Sequence, residues 1–131
     1  MSDPASASFG LAQIGQIAVP VSDIERAIAY YRDTLGMRFL FQAPPGLGFF
    51  DCAGVRLMLD GPAKAQFGNH SSVIYYRVPD LHAAFQALSA RGVTFEATPH
   101  LIAKLPDHEL WMAFFRDPDE NVLALMSEVR K

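Results

Sequence analysis

Cysteine is almost missing from this chain: Cys52 is the only one. That excludes an internal disulfide and any cysteine-built metal cluster, and Cys52 itself reads as a small buried or half-buried thiol rather than a reactive nucleophile. Charge is also scarce, at 19% of residues, with a formal net of −3. The lysines and arginines stand singly, so neither nucleic acid nor an anionic membrane is an expected partner. No apolar run approaches the ~20 residues needed to cross a bilayer. The opening Met1-Ser-Asp-Pro-Ala-Ser-Ala-Ser has neither a basic nor an apolar stretch, so no secretory leader is expected. Residues 1–12 read as a loose tail on a cytoplasmic protein.

What is present is apolar bulk, half of 131 residues, enough for one domain with a sizeable core. It is also written twice. At a shift of 57 residues, Val21 meets Val78, Asp23 meets Asp80, Ile24 meets Leu81, Ala27 meets Ala84 and Ile28 meets Phe85. Farther along, Gly36 meets Gly92, Phe39 meets Phe95, Phe49-Phe50 meets Phe114-Phe115, and Leu57-Met58-Leu59 meets Leu123-Ala124-Leu125. The common order of these matches marks an internal repeat.

Each copy opens with an alternating strand, Ile17, Val19 and Val21 sharing one face in the first. A helix follows. Ser22 with Glu25 reads as its capping box, and Ile24, Ala27, Ile28, Tyr31 and Leu35 fall on one stripe. Gly36 supplies the left-handed end. In the second copy Asp80 is the cap, Leu81, Ala84, Phe85 and Leu88 form the stripe, and Gly92 is the stop. Three strands then complete each copy, near 37–42, 47–52 and 54–60, and near 93–103, 109–116 and 121–127. Pro44-Pro45-Gly46, Ala53-Gly54 and Asp117-Pro118-Asp119 are the turns. The expected fold is α+β: one domain over 13–131, with module one at about 14–62, a linker at about 61–70 and module two at about 71–128. A helix on one sheet face leaves the other face open, so two βαβββ modules together are expected to enclose a cleft.

Alternation assigns Val55, Leu57, Leu59, Ile74, Tyr76, Val78, Trp111, Ala113, Phe115, Leu123 and Leu125 to the helix-packed side. The other side carries Gln16, Ala18, Arg56, Met58, Asp60, Val73, Tyr75, Arg77, Leu110, Met112, Phe114, Val122, Ala124 and Met126. That mostly apolar set with a few polar groups is the make-up of a small-molecule pocket. Arg56 either pairs with a ligand carboxylate or phosphate or is solvated at a strand end.

The repeat unit, the opening "IAVPVSDIERAIAYYRDTLG" and the closing "FRDPDENVLAL" resemble the vicinal oxygen chelate superfamily of glyoxalases, bleomycin-resistance proteins and extradiol dioxygenases. The resemblance implies four metal-ligand positions: Gln16 and Val73 on the first strands, Met58 and Ala124 on the last. Only Gln16 could serve, through its amide oxygen. A thioether is too soft for the usual divalent ions, and Val and Ala have no donor. No metal and no cofactor are therefore expected. Glycine is common in the family's last turn, where this chain has Glu120, so the left-handed residue there is expected at Asn121.

The four histidines give no replacement set by spacing. His82 reads as solvent-facing, and His70 sits in the linker with the wrong parity. His100 leads into the cleft wall and is the favoured candidate for a role. Asp107, His108 and Glu109 form an alternative metal or acid–base cluster. The function these observations favour is a metal-free, homodimeric binding protein, more a carrier than an enzyme, for an apolar or aromatic small molecule. Its contacts are expected from Gln16, Phe41, Arg56, Met58, Val73, Tyr75, His100, Met112, Phe114 and Ala124. The alternative is a glyoxalase-like lyase, isomerase or dioxygenase with relocated metal ligands, or a metal-free acid–base enzyme using His100 or Tyr75.

Overall fold

A computed structural model of the chain describes residues 10–61 and 72–130. Within them stand two four-stranded mixed sheets, each with one helix, as expected for tandem βαβββ modules of the α+β class. The first sheet comprises β1 (Gln16–Pro20), β2 (Arg38–Ala43), β3 (Leu47–Cys52) and β4 (Val55–Asp60), in the order β1-β4-β3-β2. The second comprises β5 (Ile74–Arg77), β6 (His100–Lys104), β7 (His108–Arg116) and β8 (Val122–Arg130), in the order β5-β8-β7-β6. In each, the first strand runs parallel to the last and the other pairs are antiparallel. The linker and residues 1–9 of the tail, with His70, lie outside the described residues apart from Gly61.

Helix α1 spans Ile24–Ala29 and α2 spans Leu81–Ala90. Asp80 caps α2 by accepting the Ala83 amide, as expected. For α1 the expectation of Ser22 is corrected: Asp23 is the cap, accepting the Arg26 amide, because the Ser22 amide and hydroxyl are both engaged by Asp119. Gly36 and Gly92 take the positive φ of the helix ends. A further difference is that α1 continues as a wider π-type turn, Tyr30–Thr34. The turn lets both Tyr30 and Tyr31 reach the second module, where their hydroxyls meet Arg116 O and Asp117.

Of the residues assigned by alternation to the helix side, all but Val55 belong to or pack against one core common to both modules, where Leu57 and Leu59 meet Phe115, Leu123 and Leu125, and Val19 and Phe50 join them. Burying each such side chain stabilises the fold by about 1.5–3 kcal/mol. The long strand expected over 93–103 is interrupted. Only the Phe95–Phe115 bridge precedes β6 at His100, since Pro99 has no N–H to offer a ladder. In the last turn Glu120 itself carries the positive φ, 68°, and not Asn121. The Asn121 side chain is instead committed to Pro20 O and Asp117.

Candidate functional site

Strand alternation leaves one face of each sheet without a helix, and the sequence-derived candidates fall there. In the first module Gln16 precedes Ala18, the register partner of Met58, and its amide lies 3.7 Å from the Met58 sulfur. Met58 is flanked on its other side by Phe49. The Phe49 ring is stacked on Phe41 at 4.7 Å, with the Arg56 guanidinium 5.6 Å from its centroid. Those neighbours leave Phe49 only 8% exposed, while Phe41 stays 47% exposed. Phe49 was absent from the expected contacts. The repeat held the signal, because it aligns Phe49 with Phe114.

The second module repeats the pattern with the bulk redistributed. Val73 stands two residues before Tyr75, the register partner of Ala124, as Gln16 stands two before the partner of Met58. Ala124 is flanked by Tyr75 on β5 and Phe114 on β7. Being small and fully buried, it lets the two rings meet edge to face at 6.1 Å. His100 pairs with Met112 across β6 and β7. Its ring lies 6.3 Å from Phe114 and its Nδ1 is 3.3 Å from Thr98 O. Among the described residues, the ring contacts and hydrogen bonds on these faces stay within each module. Tyr75 is 47% exposed. The structure thus brings together Gln16, Met58, Phe41 and Arg56 in one group, and Val73, Tyr75, His100, Met112, Phe114 and Ala124 in another.

The donor set does not fit a catalytic metal. Gln16 offers one amide oxygen, Met58 a thioether, and Val73 and Ala124 nothing. Among the described residues no group of three His, Cys, Asp or Glu could hold an ion. The Asp107, His108 and Glu109 alternative is dispersed by the pleat. His108 Nδ1 is 2.8 Å from Asp107, whereas Glu109 turns to accept the Trp111 indole N–H. The bond to His108 holds the Asp107 carboxyl below its ordinary range. His82 is exposed, as expected. Burial, and then Asp51, pushes the Cys52 thiol up, away from a thiolate.

The sequence read Asp117-Pro118-Asp119 only as a turn. In the structure it joins the modules. Buried Asp117 accepts the Tyr31 hydroxyl at 2.9 Å, the Asn121 side-chain amide, and the backbone amides of Asp119 and Asn121. Asn121 also donates to Pro20 O at 2.9 Å. Burial, reinforced by Asp117, pushes Tyr30 up to about 12 and Tyr31 higher still. On the helix side an apolar depression of about 250 Å³ lies between the modules, lined by Met37, Ala84, Leu88, Phe115 and Leu125 among others.

Comparison with known proteins places this geometry. The model of the Glyoxalase/Bleomycin resistance protein/Dioxygenase superfamily matches residues 13–125. The uncharacterised protein YraH of Bacillus subtilis (strain 168) is 24% identical, over 84% of this chain and 94% of its own length. Among solved structures, TnmS3, an antibiotic binding protein from Streptomyces sp. CB03234, is 25% identical with a TM-score of 0.72, covering 92% of this chain and 98% of that one. Lactoylglutathione lyase from Agrobacterium tumefaciens shares the fold at 20% identity and a TM-score of 0.69, covering 90% and 95%.

Proposed function

This chain belongs to the glyoxalase/bleomycin resistance protein/dioxygenase superfamily, and from that premise we propose that it is a metal-free, cytoplasmic binding protein for an apolar or aromatic small molecule. The observation that carries the reading is the matched pair of aromatic and thioether faces: Phe41, Phe49 and Met58 in one module, Tyr75, Phe114 and Met112 in the other. Such surfaces adapt to flat apolar ligands by stacking and by sulfur–ring contact, and binding asks for no acid, base or ion. The likeness to an antibiotic binding protein supports it. A homodimer completes the site. Phe41, Val73 and Tyr75 are large apolar residues left between 38% and 47% exposed, and a second copy of the chain is the natural cover. Neither nucleic acid nor a membrane is a partner in this reading; among the described residues no helix is long and apolar enough to cross one.

The test is a melting-temperature screen of aromatic and polyketide-like compounds and of divalent metals, with light scattering for the assembly. Ligand at ~100-fold above its Kd should stabilise the fold by about 2.7 kcal/mol. Phe114→Ala and Phe49→Ala should weaken each hit. Shifts from divalent metals and from no organic compound would favour the enzyme reading. A hit blocked by Ala84→Phe but indifferent to Phe114→Ala would move the ligand to the helix side and overturn the proposal. A mass near the 14.4 kDa monomer at micromolar concentration would refute the dimer.

A further inference from the structure

Arg56 holds an unusual position. It is exposed on the open face of β4, directly across the ladder from Asp51 on β3. Opposite charges so placed normally pair. Here they do not: Asp51 Oδ1 turns into the hairpin to accept the Gly54 amide at 3.2 Å. The guanidinium lies instead 5.6 Å from the centroid of Phe49. Phe49 is in turn stacked on half-exposed Phe41, with the two rings inclined by only 27°. Among the described residues Arg56, like Arg38 and Arg91, forms no salt bridge, whereas Arg26, Arg32, Arg77, Arg116 and Arg130 do. A planar donor fork thus stands over a ring, beside a second ring whose outer surface is partly free.

From this juxtaposition of Arg56, Phe49 and Phe41 we infer that the ligand is a planar aromatic anion, one carrying a carboxylate or an ionised phenol on its ring. The inference rests on the binding reading above and narrows it. The ligand ring lies across the exposed surface of Phe41 on the side toward Arg56, over the Phe41–Phe49 pair and not beyond it. Its oxygen atoms take the guanidinium N–H groups, which are planar and suited to two parallel bonds with a carboxylate. The Phe49 ring beneath the guanidinium restricts its position before the ligand arrives, so less side-chain freedom is lost on binding. Specificity follows from the same arrangement, since a neutral isostere keeps the stacking and forfeits the ion pair and the second parallel bond.

The experiment compares naphthalene-2-carboxylate with naphthalene-2-carboxamide by calorimetric titration on wild type, Arg56→Gln, Arg56→Lys and Phe41→Ala, each checked for native circular dichroism. Wild type should prefer the acid by about tenfold. Arg56→Gln should abolish the preference by weakening the acid far more than the amide, and Arg56→Lys should restore it only in part. Phe41→Ala should weaken acid and amide alike. Equal binding of the two compounds, both weakened by Phe41→Ala, would overturn the anion and leave the aromatic-ligand reading standing. Failure of both compounds to bind, or binding insensitive to Phe41→Ala, would overturn both.

Discussion

Removing one hydroxyl, by Tyr31→Phe, tests whether the modules are held by the buried network around Asp117. Tyr31 is 1% exposed and Asp117 3% exposed, and the bond between them is 2.9 Å long and spans 86 residues of sequence. A hydrogen bond to a charged group is worth about 1.5–3 kcal/mol, and burial prevents water from replacing the lost donor. The remaining Asp117 bonds, from Asn121 and two backbone amides, survive the change, so the loss should stay within that range. With an unfolding entropy near 2.1 cal/mol/K per residue, the melting temperature should fall by about 5–10 °C. Urea unfolding of wild type, Tyr31→Phe, Asp117→Asn and the double variant measures the effect and the coupling between the two groups. The coupling should exceed about 0.5 kcal/mol, as it does for residues in one network. A cost for Tyr31→Phe below about 0.5 kcal/mol, or strictly additive losses, would refute the view that this contact docks one module on the other.

Alkaline stability should follow the same tyrosines. Burial, with Asp117 next in each case, raises Tyr30 to about 12 and Tyr31 further, so the folded state retains protons that the unfolded chain gives up near 10. Their contribution is therefore fully present below pH ~10 and lost as the pH rises through the raised values. Phenolate absorbance at 295 nm should show these groups ionising only with unfolding, and titration of every tyrosine near 10 in the native protein would contradict this. At the last turn, Glu120→Gly should stabilise the fold by up to about 1 kcal/mol, the relief at φ 68° outweighing the added unfolded-state entropy. The ion pair it removes, 3.9 Å from Arg116 and exposed, contributes little. A loss of more than about 0.5 kcal/mol in urea would show that the Glu120 side chain matters instead.

The repeat, the strands other than the one expected over 93–103, and the two faces of each sheet were legible in the sequence because each depends on short-range order. Period-2 alternation decides which side chain points where, and Leu57, Leu59, Phe115, Leu123 and Leu125 all went to the buried side as their parity required. The absence of donors at Met58, Val73 and Ala124 was equally local, a matter of residue type. What the linear pattern does not encode is which atoms compete for a partner across the fold. Ser22 was a plausible cap until Asp119, 97 residues away, claimed its hydroxyl and amide, and Asp23 took the role. Asn121 suited a left-handed turn, but its side chain tied the turn to Pro20 O and Glu120 took the strained conformation. Each reversal has the same physical cause: a buried or crowded polar group takes the partner that the tertiary structure brings within 3 Å or so, whatever its neighbours in sequence would offer.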